Sequence, residues 1–77
     1  MNAIAAGAML TASRKGSGIS QHEMSKIIGC CQVRVSQYEQ NPGSLSLEKL
    51  SAWHGAVNTD GKALVEKMVS DFFMAST

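Results

Sequence analysis

The chain has 77 residues, 44% of them hydrophobic and 17% charged, with a formal net charge of +1. That length holds one domain, residues 1–77, with no separate ligand-sensing module, and a core small enough that pairing with a second copy would reinforce it. No apolar run approaches the roughly 20 residues that cross a bilayer, and a charge so close to zero argues weakly against a nucleic-acid partner, since it leaves no strong electrostatic footprint.

The opening MNAIAAGAML has the superficial look of a signal peptide. It lacks a basic start, so it reads instead as a first helix over residues 2–14. Small residues crowd that segment and blur its periodicity. Lys15-Gly16-Ser17-Gly18 ends it with two glycines. Ser20, followed three residues later by Glu23, spells a capping box and starts a second helix, with Met24, Ile27 and Ile28 as its apolar face. Gly29 stops that helix by taking the left-handed conformation that costs glycine no Cβ strain. A third helix over residues 32–40 turns Val35 and Tyr38 inward. Gln32, Val33, Arg34, Ser36 and Gln37 lie near its start or on its outer face.

Asn41-Pro42-Gly43 breaks the third helix. Ser46 caps a fourth, where Leu47, Leu50, Trp53 and Val57 mark a helical stripe. Residues 58–61 read as a loop. A fifth helix over about residues 62–74 carries a wide stripe of Leu64, Val65, Met68, Val69, Phe72 and Phe73. No strand alternation extends beyond a few residues, so the fold class expected is all-α with five helices.

Cys30 and Cys31 are the two cysteines of the chain. Neighbouring cysteines rarely bridge each other, so a reducing compartment, the cytoplasm, is expected. Zinc needs four ligands, and His22 and His54 supply no metal-binding spacing. Cys30 reads as a small buried hydrophobe and Cys31 as a weak helix cap. No metal or cofactor is expected, and no nucleophile elbow or glycine-rich signature points to an enzyme.

Two short helices joined by a glycine turn within residues 20–40 are the arrangement of a helix-turn-helix, which places the start of its second helix in a DNA groove. Charge leans weakly the same way. Residues 1–41 hold Arg14, Lys15, Lys26 and Arg34 against Glu23 and Glu39, a balance of +2, while the remainder carries −1. Gln32 and Gln37 suit adenine, Arg34 suits guanine, and Val33 suits a thymine methyl.

Residues 19–57 also resemble the helix-turn-helix of phage Cro and repressor proteins and their bacterial relatives. Ile19-Ser20-Gln21 is similar to the family's L-[TS]-Q opening, and Glu23-Met24-Ser25 to its E-L-A, with serine for alanine. Gly29 stands at the turn glycine. Val35-Ser36-Gln37-Tyr38-Glu39 resembles I-S-x-[WY]-E, and Ser46-Leu47-Glu48-Lys49-Leu50 with Trp53 and Val57 resembles the fourth helix. Cys30-Cys31 replaces V-S or T-T, so the usual hydroxyl cap is missing. Asn41 stands where glycine is common, and asparagine also tolerates the left-handed conformation.

The resemblance implies a five-helix lambda-repressor-like domain in a bacterial, phage or plasmid protein. It implies base contacts from Gln32, Val33, Arg34 and Gln37, DNA-backbone contacts from Gln21, Lys26, Ser36 and Ser44, and an ion pair between Arg14 and Glu39. The wide stripe on helix five exceeds one narrow face, so Val65, Met68, Val69, Phe72 and Phe73 are expected at a homodimer interface. The alternative is that helix five folds back over its own core. Trp53 and the Phe72-Phe73 pair read as core or dimer contact rather than base-stacking platforms. The function expected is a small Cro-like repressor on a palindromic operator in double-stranded DNA. One alternative is an antitoxin that also grips a toxin protein, although Ala75-Ser76-Thr77 offers it no tail. Another is a helix-turn-helix that binds only protein.

Overall fold

Side-chain caps set most of the helix starts in the computed structural model, which describes residues 1–74. Ala75, Ser76 and Thr77 lie outside the described residues. Asn2 Oδ1 accepts from the Ala5 amide at 2.8 Å and opens α1, Ala3–Gly16. Ser20 opens α2, Gln21–Ile28, through a reciprocal capping box: the Glu23 amide donates to Ser20 Oγ at 3.0 Å, and the Ser20 amide to Glu23 Oε1 at 3.1 Å. Gly29, at φ 76°, ends it, and the amides of Gly29 and Cys30 both reach the Ser25 carbonyl.

Cys31 begins α3, Gln32–Gln40, with no side-chain cap hydrogen bond, so the cap expected of its thiol is absent. Asn41 does not take the left-handed conformation. It is extended at φ −148° and ψ 92°, and its Oδ1 accepts from the Gly43 amide at 3.1 Å to open a 3₁₀ turn, Pro42–Ser44. The side chain thus does by capping what a left-handed backbone does elsewhere.

Ser46 caps α4, Leu47–Ala56, through the Lys49 amide at 3.2 Å. Asn58 caps α5, Thr59–Met68, through the Gly61 amide at 2.8 Å. Residues 58–61 are therefore the first turn of α5, with its cap, and not a loop. Gly61 is there because α5 meets α1 closely: a Cβ would lie 2.9 Å from the Ser13 carbonyl oxygen and 2.8 Å from Val57 Cβ. Beyond Met68 the chain widens into a single π-helical turn, Val69–Phe73, so the regular helix does not reach residue 74.

All five α-helices contribute to one core of Ala6, Leu10, Met24, Ile28, Val35, Tyr38, Leu45, Trp53, Val57, Val65 and Met68. Trp53 is fully buried, and its indole donates to Ser13 Oγ at 3.0 Å while Ser13 Oγ donates to the Leu10 carbonyl. This excludes Trp53 as a stacking platform. Two apolar residues assigned to the core face outward, Ile27 at 51% exposure and Leu47 at 81%. Ser25 and Leu45 are buried instead. Ser25 enters the core because its hydroxyl donates to the His22 carbonyl at 2.6 Å. Cys30 is half-buried against the core.

The fifth helix also departs from expectation. Val65 and Met68 are buried inside this one chain, so they supply no dimer surface. Val69 and Phe72 pack partly against the same core, and Phe73, with its ring edge-on to Phe72, remains 36% exposed. Residues at a spacing of three and four that read as surplus therefore close the molecule over α1. The described residues contain no strand and no helix long and apolar enough to cross a membrane. The radius of gyration is 11.0 Å, that of a compact chain of this length.

Candidate nucleic-acid interface

Burial of Val35 and Tyr38, three residues apart, decides which side of α3 meets solvent. Gln32, Val33, Arg34 and Gln37 are all exposed, Val33 to 66%. These four offer two amides, a guanidinium and an apolar branch on a helix whose other side is locked into the core. Their chemistry covers the donors, acceptors and methyl contact that base edges require.

The candidate backbone contacts are distributed over three elements. Lys26 is exposed on α2. Ser36 is half-buried on α3, 3.4 Å from the Gln40 side-chain amide that donates to it. Ser44 is exposed on the 3₁₀ turn, with its hydroxyl donating to the Asn41 carbonyl at 2.8 Å. Gln21, first residue of α2, donates to Glu39 Oε1 at 3.1 Å. Its amide retains a second hydrogen for an outside acceptor.

Beneath this surface lies a network that fixes α3. The Arg14 guanidinium donates through Nε to Glu39 Oε2, through Nη2 to Glu39 Oε1 at 3.2 Å, and through Nη1 to the Ile19 carbonyl at 2.8 Å. The Arg14 and Glu39 side chains are each only 7% exposed. One carboxylate therefore gathers the end of α1, the start of α2 and the last turn of α3. Gly7 completes the α1–α3 contact, since a Cβ there would lie 2.0 Å from the Glu39 carbonyl oxygen.

Three further fasteners had no local sequence signal. Lys49 Nζ, from the first turn of α4, donates to the carbonyls of Ile28 and Gly29 at 2.8 and 2.9 Å. A cation at the C-terminus of α2 meets the negative end of its dipole. Lys62 Nζ reaches the Val57 carbonyl at 2.6 Å. Asn58, besides capping α5, donates through Nδ2 to the Gly16 carbonyl at 3.1 Å and through its backbone amide to Ser17 Oγ at 2.9 Å. The Lys49 and Asn58 contacts join partners 20 to 42 positions apart in sequence, which no window of periodicity displays.

Hydrogen bonds from the Ser20 backbone and hydroxyl hold the Glu23 carboxyl below its ordinary range. Burial pushes the Cys30 thiol up, opposed by the Lys49 ammonium. Among the described residues no three His, Cys, Asp or Glu side chains converge on a metal position. No family model, curated protein or solved structure matches this chain. The residues of α3 and of the network below it therefore carry the functional reading by themselves.

Proposed function

We propose that this chain is a sequence-specific regulator of transcription with a lambda-repressor-like fold, in which α2 and α3 form the helix-turn-helix. It acts as a small Cro-like repressor, a cytoplasmic homodimer on a palindromic operator. The observation that carries this reading is the pairing of an exposed face, Gln32, Val33, Arg34 and Gln37, with the partly buried Arg14–Glu39–Gln21 network under it. Base readout needs side chains free to bond and a helix that does not move, and both conditions meet on α3.

In this mechanism the start of α3 enters the major groove. Arg34 bonds guanine O6 and N7, Gln32 and Gln37 bond adenine, and Val33 covers a thymine methyl. Gln21, Lys26, Ser36 and Ser44 hold phosphates, with backbone amides at the helix N-termini. A single module reads few base pairs, so two copies on half-sites about one helical turn, roughly 34 Å, apart multiply the discrimination.

Selection of bound duplexes from a random pool tests the reading. A palindromic consensus is expected, and the logarithm of its affinity should fall with the logarithm of salt concentration with a shallow slope, because few cations are available. Gln32→Ala should relax preference at one position of each half-site, at about 1–3 kcal/mol. Gln21→Ala should weaken all sequences evenly. Equal affinity for scrambled DNA at physiological salt would refute the proposal.

A further inference from the structure

The link between α2 and α3 is Gly29-Cys30-Cys31, and both thiols are free, Cys30 half-buried and Cys31 exposed. The link does not depend on either sulfur for its shape. Its α2 side is held by the Gly29 and Cys30 amides on the Ser25 carbonyl and by the Lys49 ammonium on the Ile28 and Gly29 carbonyls. At the α3 side, Cys31 occupies a position where a hydroxyl or carboxamide would accept a helix amide, yet its side chain makes no such bond.

A direct disulfide is the wrong product here. Neighbouring Cα atoms across a trans peptide are about 3.8 Å apart, below the roughly 4.4 Å at which disulfides begin. An atom inserted between the sulfurs enlarges the ring and removes that conflict. Zinc is the wrong inserted atom, because it wants four ligands and no third donor converges on the pair among the described residues. A trivalent metalloid carrying one organic group needs two sulfurs and nothing more.

We propose that Cys30 and Cys31 form a dithiol site for a thiophilic trivalent metalloid, of the organic arsenoxide class. In the binding step two As–S bonds form, two S–H bonds break, and the oxide oxygen leaves with both protons as water. Arsenic stays trivalent and no electrons are transferred. The exposed Cys31 reacts first, and Cys30 then closes the ring from within the same chain. The adduct sits directly before Gln32, Val33 and Arg34. If α3 is the DNA-reading helix, a step that rests on the function proposed above, occupation of the dithiol displaces DNA.

Phenylarsine oxide is the probe. The reduced full chain, Cys30→Ser and Cys31→Ser are each loaded with it, challenged with a monothiol, and weighed by native mass spectrometry. Wild type should keep one arsenical per chain and release it only to a competing dithiol. Each serine variant should lose it to the monothiol at a concentration that leaves wild type fully loaded, since the second bond of a chelate forms at high effective concentration. Circular dichroism confirms that the variants are folded, and serine at position 31 supplies a better helix cap. Retention by either serine variant equal to wild type, or loss from wild type to the monothiol, would overturn the site. The loaded wild-type chain should lose its selected duplex. Undiminished binding by the loaded chain would overturn the coupling to DNA. Failure of the unloaded chain to bind DNA would instead overturn the helix-turn-helix reading, and the mass measurement would still decide the dithiol.

Discussion

Glu39 receives the molecule's most consequential contacts from two directions. Its carboxylate accepts from Arg14 and Gln21, and its backbone carbonyl lies against Gly7. Arg14→Ala leaves a nearly buried carboxylate with only a neutral amide, and should lower unfolding free energy by about 3 kcal/mol in a denaturant melt. Arg14→Lys should recover only part of that loss, because an ammonium cannot span both Glu39 oxygens and the Ile19 carbonyl as a guanidinium does. An unchanged melt for Arg14→Ala would show that the pair contributes nothing. Gly7→Ala tests the other side of the same residue. Its methyl has no room before the Glu39 carbonyl oxygen, so α1 and α3 must separate, at about 1–3 kcal/mol of overpacking. A variant as stable as wild type would mean that the two helices shift apart freely. The Arg14–Glu39 pair was legible only through family resemblance, since 25 positions separate its members. Gly7 carried no signal beyond the crowding of small residues in α1.

At the scale of an element, the capping box of α2 was fully legible, because Ser20 and Glu23 lie within one turn and their bonds are local. Its hydrogen bonds lower the Glu23 pKa in the fold from the ordinary 4.5. The depressed folded value means that the stabilisation is present above the unfolded pKa and is lost as pH falls through the folded one. Thermal melts through the acid carboxylate range should therefore lose less midpoint in Glu23→Gln than in wild type. Equal acid slopes would remove Glu23 from the titration. Element edges were less legible where glycine has two meanings. Gly61 resembles a loop residue in sequence, yet it sits in the first turn of α5 because Ser13 and Val57 leave no space for a side chain. Short helices also blur their own stripes. With eight residues in α2 and ten in α4, apolar positions a few residues apart do not define one face, and Ile27 and Leu47 face outward.

At the scale of the whole molecule, Phe73 leaves an aromatic edge in solvent. Val65 and Met68 close the core of a single chain, so self-association, if α5 and its π turn mediate it, falls to the exposed aromatic edge. Phe73→Asp should leave the far-ultraviolet spectrum and melting midpoint nearly intact, while sedimentation at micromolar concentration shifts from dimer to monomer. A wild-type monomer that holds one half-site as tightly as the palindrome would place the entire stripe in internal packing. Helix number, the Ser20 and Ser46 caps, the αL glycine at Gly29 and the outward Gln32–Val33–Arg34–Gln37 set were written in the sequence by itself, because each depends on residues within a turn or two of one another. Tertiary structure alone decided that α5 closes over α1, that Ser25 is buried in place of Ile27, and that Lys49 fastens the end of α2. Those outcomes depend on which surfaces of distant elements meet, Lys49 reaching back 20 and 21 positions and α5 further still to α1, where burial of one side chain is settled by the shape of another.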